Sequence, residues 1–360
     1  MMVKDPLKIV FISPFQFRLY RGIERFTYSL ANALAEKGFS ITVYAWAGAK
    51  AGVDWGKWHS GIRIRRVPEI RYFQSLAAGI LYRTWARVDD PDYIFLNFLY
   101  QGENRLPSDR RYIYILHSPA SQIRNRYLYI ERLLKKFTNL EFVAVSQMVK
   151  QEAIPYISGR RISVILNGVD TDLFKPVENE SAHIERPFRI ISAAALEERK
   201  GLQHLVLAIG NMDKHLRKNI RYDIFGEGLY KNHLRKLIRK YDLENVVFIN
   251  SPVNNLNEIL PQYDLFCLLS KGEAFAISIL EAMACGLPIL TSSFPPFHEI
   301  VDESFGACID PEDRVGIMRF IENCQNEKLK KSRSVASRQK SMGFNWEKVA
   351  ESYSDLLKSS

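Results

Sequence analysis

A strand, a loop, a helix and a second strand follow one another in the last third of the chain, and this order constrains the fold most. Leu265–Leu269 is apolar enough for an inner strand, and Gly272 marks the loop after it. The predicted helix runs from Ala276 to Ala284, and the Gly-Leu-Pro sequence at 286–288 ends it where the next strand begins. Buried strands joined through a helix predict a doubly wound parallel sheet of the α/β class.

Two glutamates accompany this helix, Glu273 in the loop before it and Glu281 inside it. Eight helical residues turn by about 800° and rise by about 12 Å, so both carboxylates can face one cleft. The helix N-terminus also presents free N–H groups and positive dipole to an anion, from Phe275 and Ala276 onward. The alternative is that Glu273 only caps the helix and Glu281 lies on a solvated surface.

The same alternation runs through the rest of the chain and predicts two sheets. Predicted strands are Leu7–Ser13, Phe39–Trp46, Ile62–Val67, Tyr93–Asn97, Tyr112–Leu116, Glu141–Val145 and Val164–Leu166, then Phe188–Ala193, Ile220–Phe225, Val246–Ile249, Leu265–Leu269, Pro288–Thr291 and Ala307–Ile309. The first predicted helix follows the loop at 21–25 and runs through Ala35, and another is opened by Lys200-Gly201 and runs to Ile209. Further predicted helices are Tyr72–Arg87, Ile123–Phe137, Leu229–Lys240 and Trp346–Leu357, with Lys328–Lys340 as a basic polar segment before the last. The polar stretch 170–187 predicts the connection between two domains, 1–170 and 171–344, and the helix within 345–360 is expected to cross back onto the first.

Charge is placed unevenly along the 360 residues, a length that suits two domains. Residues 1–168 hold 25 Lys and Arg against 13 Asp and Glu, a net charge of +12, and the remainder carries −2. A basic first half favours an anionic partner, such as an acidic membrane surface or an acidic glycan, with a solvated basic face as the alternative. With no visible signal peptide and no apolar run of about 18 residues, we expect a cytoplasmic protein, peripheral on the inner face of the membrane.

Cysteine spacing predicts neither a metal site nor a disulfide framework. Cys267, Cys285, Cys308 and Cys324 are widely spaced and form no CxxC pair or Cys/His ligand pattern. Buried thiols in a reducing compartment are the expectation, with no metal bound.

These motifs together resemble the retaining, nucleotide-sugar-dependent glycosyltransferases of family 4, which have the GT-B fold. The segment from Glu273 to Glu281 is similar to that family's Glu-x7-Glu signature. Further matching motifs are Gly22-Ile23-Glu24-Arg25, His117, Asn167-Gly168-Val169-Asp170, Lys200-Gly201, Gly226-Glu227-Gly228 and Phe344-Asn345-Trp346-Glu347. The resemblance implies two Rossmann-like domains facing an interdomain cleft, with the donor mainly on the second and the acceptor mainly on the first.

The resemblance also implies how the donor diphosphate is held. Lys200 and the N–H groups from Phe275 and Ala276 would neutralise it without a metal ion or other cofactor. This chain has Ala194-Ala195 where the family often has Gly-Arg, which removes a guanidinium from the diphosphate. Arg199 is one candidate to replace it.

Other roles implied by the resemblance concern the two sugars of the donor. Glu281 would hold the ribose hydroxyls, Glu273 the hydroxyls of the transferred sugar, and His117 would lie by that sugar near the reacting centre. Gly22 would allow the backbone to approach the ligand closely. The chain has Arg21-Gly22 where the family often has Gly-Gly, and Arg21 is the second candidate to replace the missing guanidinium.

The expected function is retaining transfer of a hexose from a UDP- or GDP-sugar to a hydroxyl of a glycan or lipid-linked acceptor, in polysaccharide biosynthesis. A glycosidase with paired carboxylates is disfavoured because that chemistry has no use for a phosphate site or for Lys200. A catalytically weak sugar-nucleotide-binding subunit of a glycan-assembly complex is the second hypothesis, and Ala195 favours it. Nucleic-acid binding is disfavoured because no recognition module is visible.

Overall fold

The computed structural model describes residues 5–13, 22–46, 57–68, 74–97, 105–157, 159–177 and 186–359. The chain forms two compact units: unit 1 comprises Met1–Asn167 together with Trp346–Ser360, and unit 2 comprises Gly168–Asn345. Each unit is an α/β fold built on one parallel sheet. The α/β class predicted from the alternating pattern is therefore confirmed in both.

Unit 1 is built on a parallel sheet with the strand order β3-β2-β1-β4-β5-β6-β7 in its described residues. The elements in chain order are β1 (Lys8–Ser13), α1 (Gly22–Glu36), β2 (Ser40–Trp46), β3 (Arg63–Val67), α2 (Gln74–Asp89), β4 (Tyr93–Leu96), β5 (Arg111–Leu116), α3 (Ala120–Leu134), β6 (Leu140–Ala144), α4 (Gln147–Ala153) and β7 (Ile162–Val164). β1 pairs with β2 from Lys8↔Ser40 and with β4 from Ile9↔Tyr93. The strand order reverses at β1 and β4, and such a reversal opens a crevice at the carboxyl ends of the strands.

Helix α1 lies over this sheet because its apolar residues recur at helical spacing. Phe26, Leu30 and Leu34 are buried, and Gly38 ends the segment with a positive φ of 88°. The final helix of the chain, Trp346–Ser359, belongs to unit 1 and packs on α1, with the Trp346 ring 5.8 Å from that of Phe26. The Tyr93 hydroxyl donates to the carbonyl of residue 357 at 2.7 Å, which ties the end of that helix to β4.

Unit 2 repeats the arrangement with a parallel sheet of order β10-β9-β8-β11-β12-β13 in its described residues. Its elements are β8 (Phe188–Ala193), α5 (Leu202–Gly210), α6 (Lys214–Arg217), β9 (Ile220–Phe225), α7 (Lys231–Lys240), β10 (Val247–Asn250), α8 (Leu256–Ile259), β11 (Leu265–Leu268), α9 (Ile277–Ala284), β12 (Ile289–Ser292), β13 (Gly306–Ile309), α10 (Arg314–Gln325) and α11 (Glu327–Ser341). The core between sheet and helices is aliphatic, with residues such as Ile190, Leu205 and Ile224 fully buried.

The strand order of unit 2 reverses at β8 and β11, and these two strands pair only briefly. Their ladder has the two register pairs Leu265↔Ile190 and Phe266↔Ile191, whereas β8 pairs with β9 over its full length. Beyond the ladder, the Ser192 side chain donates to the Cys267 carbonyl at 2.5 Å. The loops after β8 and β11 therefore flank the crevice where doubly wound sheets bind ligands.

Two predicted elements of unit 1 are placed differently by the structure. The helix predicted over 123–137 begins three residues earlier, at Ala120, and ends at Leu134, and Ile123 interrupts its first turn with φ −137° and ψ 40°. The strand predicted at 164–166 lies two residues earlier, as β7, which ends at Val164. Its partner β6 ends at Ala144, so few residues remain for the ladder to continue.

The basic segment 328–340 of unit 2 is helical, as α11, although its sequence pattern did not predict a helix. No apolar stripe marks this helix, because it packs on its neighbours through small side chains. Ser337 and Ser341 are fully buried, and the Ser337 hydroxyl donates to the Leu287 carbonyl at 2.7 Å. Arg338 donates to three main-chain carbonyls, at Thr171, Phe174 and Ala284.

Candidate donor site

The turn after β8 carries Arg199 and Lys200 and depends on a glycine. Residues Glu198–Lys200 form a short 3₁₀ turn, and Gly201 follows in the left-handed region with φ 67°. A Cβ on Gly201 would lie 1.9 Å from the Leu269 carbonyl oxygen, which is far inside contact distance. The turn therefore approaches the end of β11 as closely as only a glycine permits.

Hydrogen bonds join this turn to the loop after β11. The Arg199 carbonyl accepts from the Lys271 N–H at 2.8 Å and from the Ser270 hydroxyl at 2.9 Å. The Arg199 guanidinium donates to the Gly272 carbonyl at 2.5 Å and to the Glu197 carboxylate at 2.7 Å. The two loops thus form one hydrogen-bonded unit at the edge of the crevice.

Lys200 and Glu273 form an ion pair across these two loops. The Lys200 ammonium donates directly to Glu273 Oε1, and their side chains are 14% and 10% exposed. A partly buried ammonium is stabilised by this partner and retains further donors for another anion. The structure therefore brings the predicted site residue Glu273 to the adjacent pair Arg199 and Lys200, although Glu273 follows Lys200 by 73 positions in the sequence.

Helix α9 begins directly after this loop. Ala276 precedes the helix in an extended conformation, and no side chain caps the first turn. The N–H groups of a first helical turn have no partner within the helix, and the dipole there favours negative charge. Phe275 and Ala276 therefore lead into an N-terminus of the type that binds anions. Glu273 does not cap this helix with its side chain.

Glu281 lies further along α9 and is fully buried, at 0% exposure. Leu280, Ala282 and Met283 around it are also buried, so this side of the helix faces the interior of unit 2. The alternative placement of Glu281 on a solvated surface is therefore wrong. The helix ends at Gly286 with φ 77°, where the residue 287 N–H bonds the Ala282 carbonyl, as the Gly-Leu-Pro sequence predicted.

The Gly226-Glu227-Gly228 loop after β9 packs against the segment 194–196. A Cβ on Gly226 would lie 1.9 Å from the Ala194 carbonyl oxygen, and one on Gly228 would lie 2.4 Å from that of Leu196. The Leu196 N–H also donates to the Glu227 carbonyl at 2.9 Å. Both glycines are thus explained by close backbone contact with the neighbouring loop.

The remaining predicted site residues belong to unit 1. His117 follows β5, with its Nε2 3.3 Å from Asn97 Oδ1 and its ring 4.7 Å from that of Phe26. Burial lowers the pKa of His117 to about 3, so the imidazole is neutral near pH 7. Gly22 begins α1, and Arg21 lies outside the described residues.

Several residues that organise these sites were not identified from the sequence. Ser270 joins three segments. Its hydroxyl donates to the Arg199 carbonyl and accepts from the Gly272 N–H, and its main-chain carbonyl accepts from the Ser292 hydroxyl. Asn97 holds the ring of His117. The only sequence signal for either residue is its position at the carboxyl end of an apolar strand.

Clusters of side chains that could hold a metal ion and helices that could span a membrane are both absent from the described part of the chain. No three His, Cys, Asp or Glu side chains come together there in a metal-binding group. Among the described helices, none has both the length and the apolar character needed to cross a bilayer. All four cysteines are free thiols, and burial raises the pKa of Cys267.

Solved structures place the fold in a known class. The chain resembles the sucrose-phosphate synthase of Thermosynechococcus elongatus with a TM-score of 0.82, at 16% identity over 98% of both chains. It resembles Alr3699/HepE of Anabaena, solved in complex with UDP and glucose, with a TM-score of 0.79, at 19% identity over 98% of this chain and 100% of that one. The fold is that of GT-B glycosyltransferases.

Sequence comparisons then define the family. The family model described as "Glycosyltransferase Family 4" matches residues 20–173, and the family model described as "Glycosyl transferases group 1" matches residues 175–340. The chain belongs to this family of GT-B glycosyltransferases, as the motifs predicted.

Curated relatives match parts of the chain. The O-antigen biosynthesis glycosyltransferase WclY of Escherichia coli is 25% identical over 155 residues, which are 41% of this chain and 42% of WclY. The uncharacterized glycosyltransferase MJ1069 of Methanocaldococcus jannaschii is 24% identical over 270 residues, which are 69% of this chain and 68% of that protein. The chain spans about two fifths of the length of several such relatives.

Proposed function

We propose that the protein transfers a hexose, with retention at the anomeric carbon, from a nucleoside diphosphate sugar to a hydroxyl of a glycan or lipid-linked acceptor. The observation that carries this proposal is the Lys200–Glu273 pair in the crevice of unit 2, beside the start of α9. A diphosphate placed there would meet an ammonium and a helix N-terminus, which supply the positive charge that the leaving group requires.

The chemistry follows from these groups. As the glycosidic C–O bond breaks, negative charge grows on the diphosphate, and Lys200 would stabilise it without a metal ion. Glu273 is already held by Lys200, so its free carboxylate oxygen is oriented to accept from hydroxyls of the transferred sugar. Glu281 would bind the ribose hydroxyls, and His117 would lie by the transferred sugar. Alr3699/HepE has been crystallised in complex with UDP-glucose, which makes UDP-glucose the first donor to test.

A thermal melting screen with UDP, GDP, ADP and dTDP sugars tests donor binding, because a ligand that binds only the native state stabilises it by about 2.7 kcal/mol at a hundredfold excess over Kd. Lys200→Ala should abolish the shift, whereas Lys236→Ala, an exposed lysine of α7, should retain it. Glu281→Gln, which keeps the side-chain shape, should weaken it. A wild-type protein that neither binds nor hydrolyses any of these sugars would reject the proposal.

Retention and acceptor class need separate measurements. Product anomers followed by proton NMR during early turnover distinguish retention from inversion, and inversion would contradict that part of the proposal. Vesicle sedimentation with and without acidic lipid tests whether the protein associates with a membrane surface, as the basic first half predicts. Equal sedimentation with both vesicle types would reject an electrostatic contact.

The second candidate function is a sugar-nucleotide-binding subunit with weak catalysis. A specific observation favours it: the guanidinium of Arg199, a proposed substitute for the arginine missing at Ala195, is engaged by Glu197 and the Gly272 carbonyl. Donor affinity in Arg199→Ala decides this point, since an unchanged affinity would reject Arg199 as the substitute. Donor binding without transfer to any acceptor would favour the subunit over the enzyme.

A further inference from the structure

A chain of three hydrogen bonds links His117 to the first turn of α1. His117 Nε2 lies 3.3 Å from Asn97 Oδ1, and Asn97 Nδ2 donates to Thr27 Oγ1 at 3.0 Å. The Thr27 hydroxyl donates in turn to the Ile23 carbonyl at 2.8 Å. Asn97 and Thr27 are buried, and His117 is partly exposed. These three hydrogen bonds therefore connect a buried part of α1 to an imidazole that is partly exposed.

The donor and acceptor roles along this chain run in one direction. The single hydroxyl proton of Thr27 goes to Ile23, so the Thr27 oxygen acts as an acceptor towards Asn97. The Asn97 amide nitrogen donates to this Thr27 oxygen. The amide oxygen of Asn97, which can only accept, therefore faces His117. The proton of a neutral His117 must then be on Nε2, and Nδ1 keeps its lone pair.

The surroundings of His117 agree with a neutral ring. Burial lowers its pKa to about 3, and no carboxylate hydrogen bonds to the ring within the described part of the chain. Titratable side chains on the elements packed around it include Tyr114 on β5, Tyr127 on α3, Glu24 on α1 and Tyr353 on the final helix. The Tyr127 hydroxyl donates to a backbone carbonyl at 2.8 Å, and burial raises the pKa of both Tyr127 and Tyr353.

We propose that Asn97 is a positioning residue that, held by Thr27, fixes His117 as the Nε2–H tautomer, so that Nδ1 accepts a hydrogen bond from a hydroxyl of the transferred sugar. Among the described residues, none donates to His117 Nδ1. Only the identity of that hydroxyl rests on the proposed function. The tautomer is a property of the free protein and can be tested without any substrate.

Nitrogen NMR of the full chain with labelled histidine tests the tautomer directly. His117→Gln identifies the His117 signal among the seven histidines, because it removes one set. We expect an Nε2–H pattern that stays constant over about pH 5 to 8, the range in which an unperturbed histidine titrates. A proton on Nδ1, or an imidazolium at neutral pH, would overturn the proposal.

Two variants of Thr27 form a matched pair. Thr27→Val keeps the shape but removes the oxygen that orients Asn97, so both tautomers of His117 should appear. Thr27→Ser keeps the hydroxyl and should retain the single tautomer. We call the hydrogen bonds from Thr27 through Asn97 to His117 the relay. If Thr27→Val shows the unchanged Nε2–H pattern, Thr27 does not orient the Asn97 amide and the proposed relay is wrong.

Asn97→Asp gives a further readout that a purely structural role would not move. A carboxylate beside the ring favours the imidazolium and raises the pKa of His117. The NMR signal should then titrate, and turnover should fall as pH decreases through the raised pKa, because the protonated ring cannot accept. A His117 in this variant that remains neutral down to about pH 5 would contradict the contact between the two side chains.

Kinetics separate this proposal from the proposed function. Thr27→Val should lower kcat about tenfold, the factor expected for one lost hydrogen bond between neutral groups, and Thr27→Ser should not. If the tautomer is found as expected and no nucleotide sugar is bound, the relay stands and the transferase proposal fails. If sugar is transferred and His117 carries its proton on Nδ1, the relay alone fails.

Discussion

Replacing Gly201 by alanine is expected to destabilise unit 2 more than any ordinary glycine substitution. The left-handed conformation, with φ 67°, costs a non-glycine residue about 1–2 kcal/mol. The new Cβ would also lie 1.9 Å from the Leu269 carbonyl oxygen, and a backbone atom cannot move aside as a side chain does. Overpacking of this kind costs about 1–3 kcal/mol, so the total expected loss is about 2–5 kcal/mol.

Gly286→Ala is the matched control for this prediction. Gly286 lies in the same unit with a similar φ of 77°, but its added Cβ would meet the Ser334 hydroxyl at 3.0 Å, which can rotate away. The control should therefore lose only the conformational cost of about 1–2 kcal/mol. The difference between the two variants isolates the clash with β11.

Urea unfolding followed by two signals measures the effect. All five tryptophans belong to unit 1, so their fluorescence reports that unit, whereas far-UV circular dichroism reports both. Gly201→Ala should move the circular dichroism transition to lower urea, and the free energy follows from linear extrapolation. If Gly201→Ala and Gly286→Ala lose the same free energy to within about 0.5 kcal/mol, the close-approach argument is refuted.

Three further predictions concern single groups. Arg338→Met should lower the stability of unit 2 by about 2–5 kcal/mol in the same circular dichroism assay, because three carbonyls lose their donor, and a loss below about 0.5 kcal/mol would contradict it. Burial raises the pKa of Asp223, but hydrogen bonds from Arg221 and Asn250 outweigh burial and hold that pKa below its usual value. The Asp223 carboxylate therefore stabilises the folded protein above the pKa that it has in the unfolded chain, and this stabilisation is lost as pH falls through its lower pKa in the folded protein. Arg221→Met should therefore shift acid unfolding to higher pH, and an unchanged midpoint would oppose this reasoning. Ser146→Ala should cost unit 1 about 1 kcal/mol by fluorescence, since its hydroxyl caps α4 at the Val149 N–H, and an unchanged transition would speak against the cap.

Local pattern was sufficient to predict most of the secondary structure. The strands at Phe188–Ala193 and Ile220–Phe225 have the predicted bounds. Gly286 ends α9 as predicted. Helix α11 escaped prediction because its buried residues are serines, which carry no hydrophobic periodicity.

Some residues of the candidate site could be predicted from the sequence, whereas their contacts could not. Glu273, Glu281, Lys200 and His117 were recognisable in the sequence from a family motif. Their partners were not, because a contact such as Lys200 with Glu273 joins residues 73 positions apart, and local sequence carries no record of it. The substitution of Arg199 for a missing guanidinium stays a prediction, now weighed against the bonds that Arg199 makes with Gly272 and Glu197.

The sequence by itself determined that this chain alternates strands and helices, where its helices end at glycine, and to which family it belongs. These properties depend on periodicity and on backbone freedom, which act over a few neighbouring residues. Only the tertiary structure decided that Gly201 touches Leu269, that Ser270 joins the loops of the crevice, and that Asn97 orients His117. Parallel sheets bring the ends of distant strands to one edge, and the partners that meet there are set by strand order rather than by neighbouring sequence.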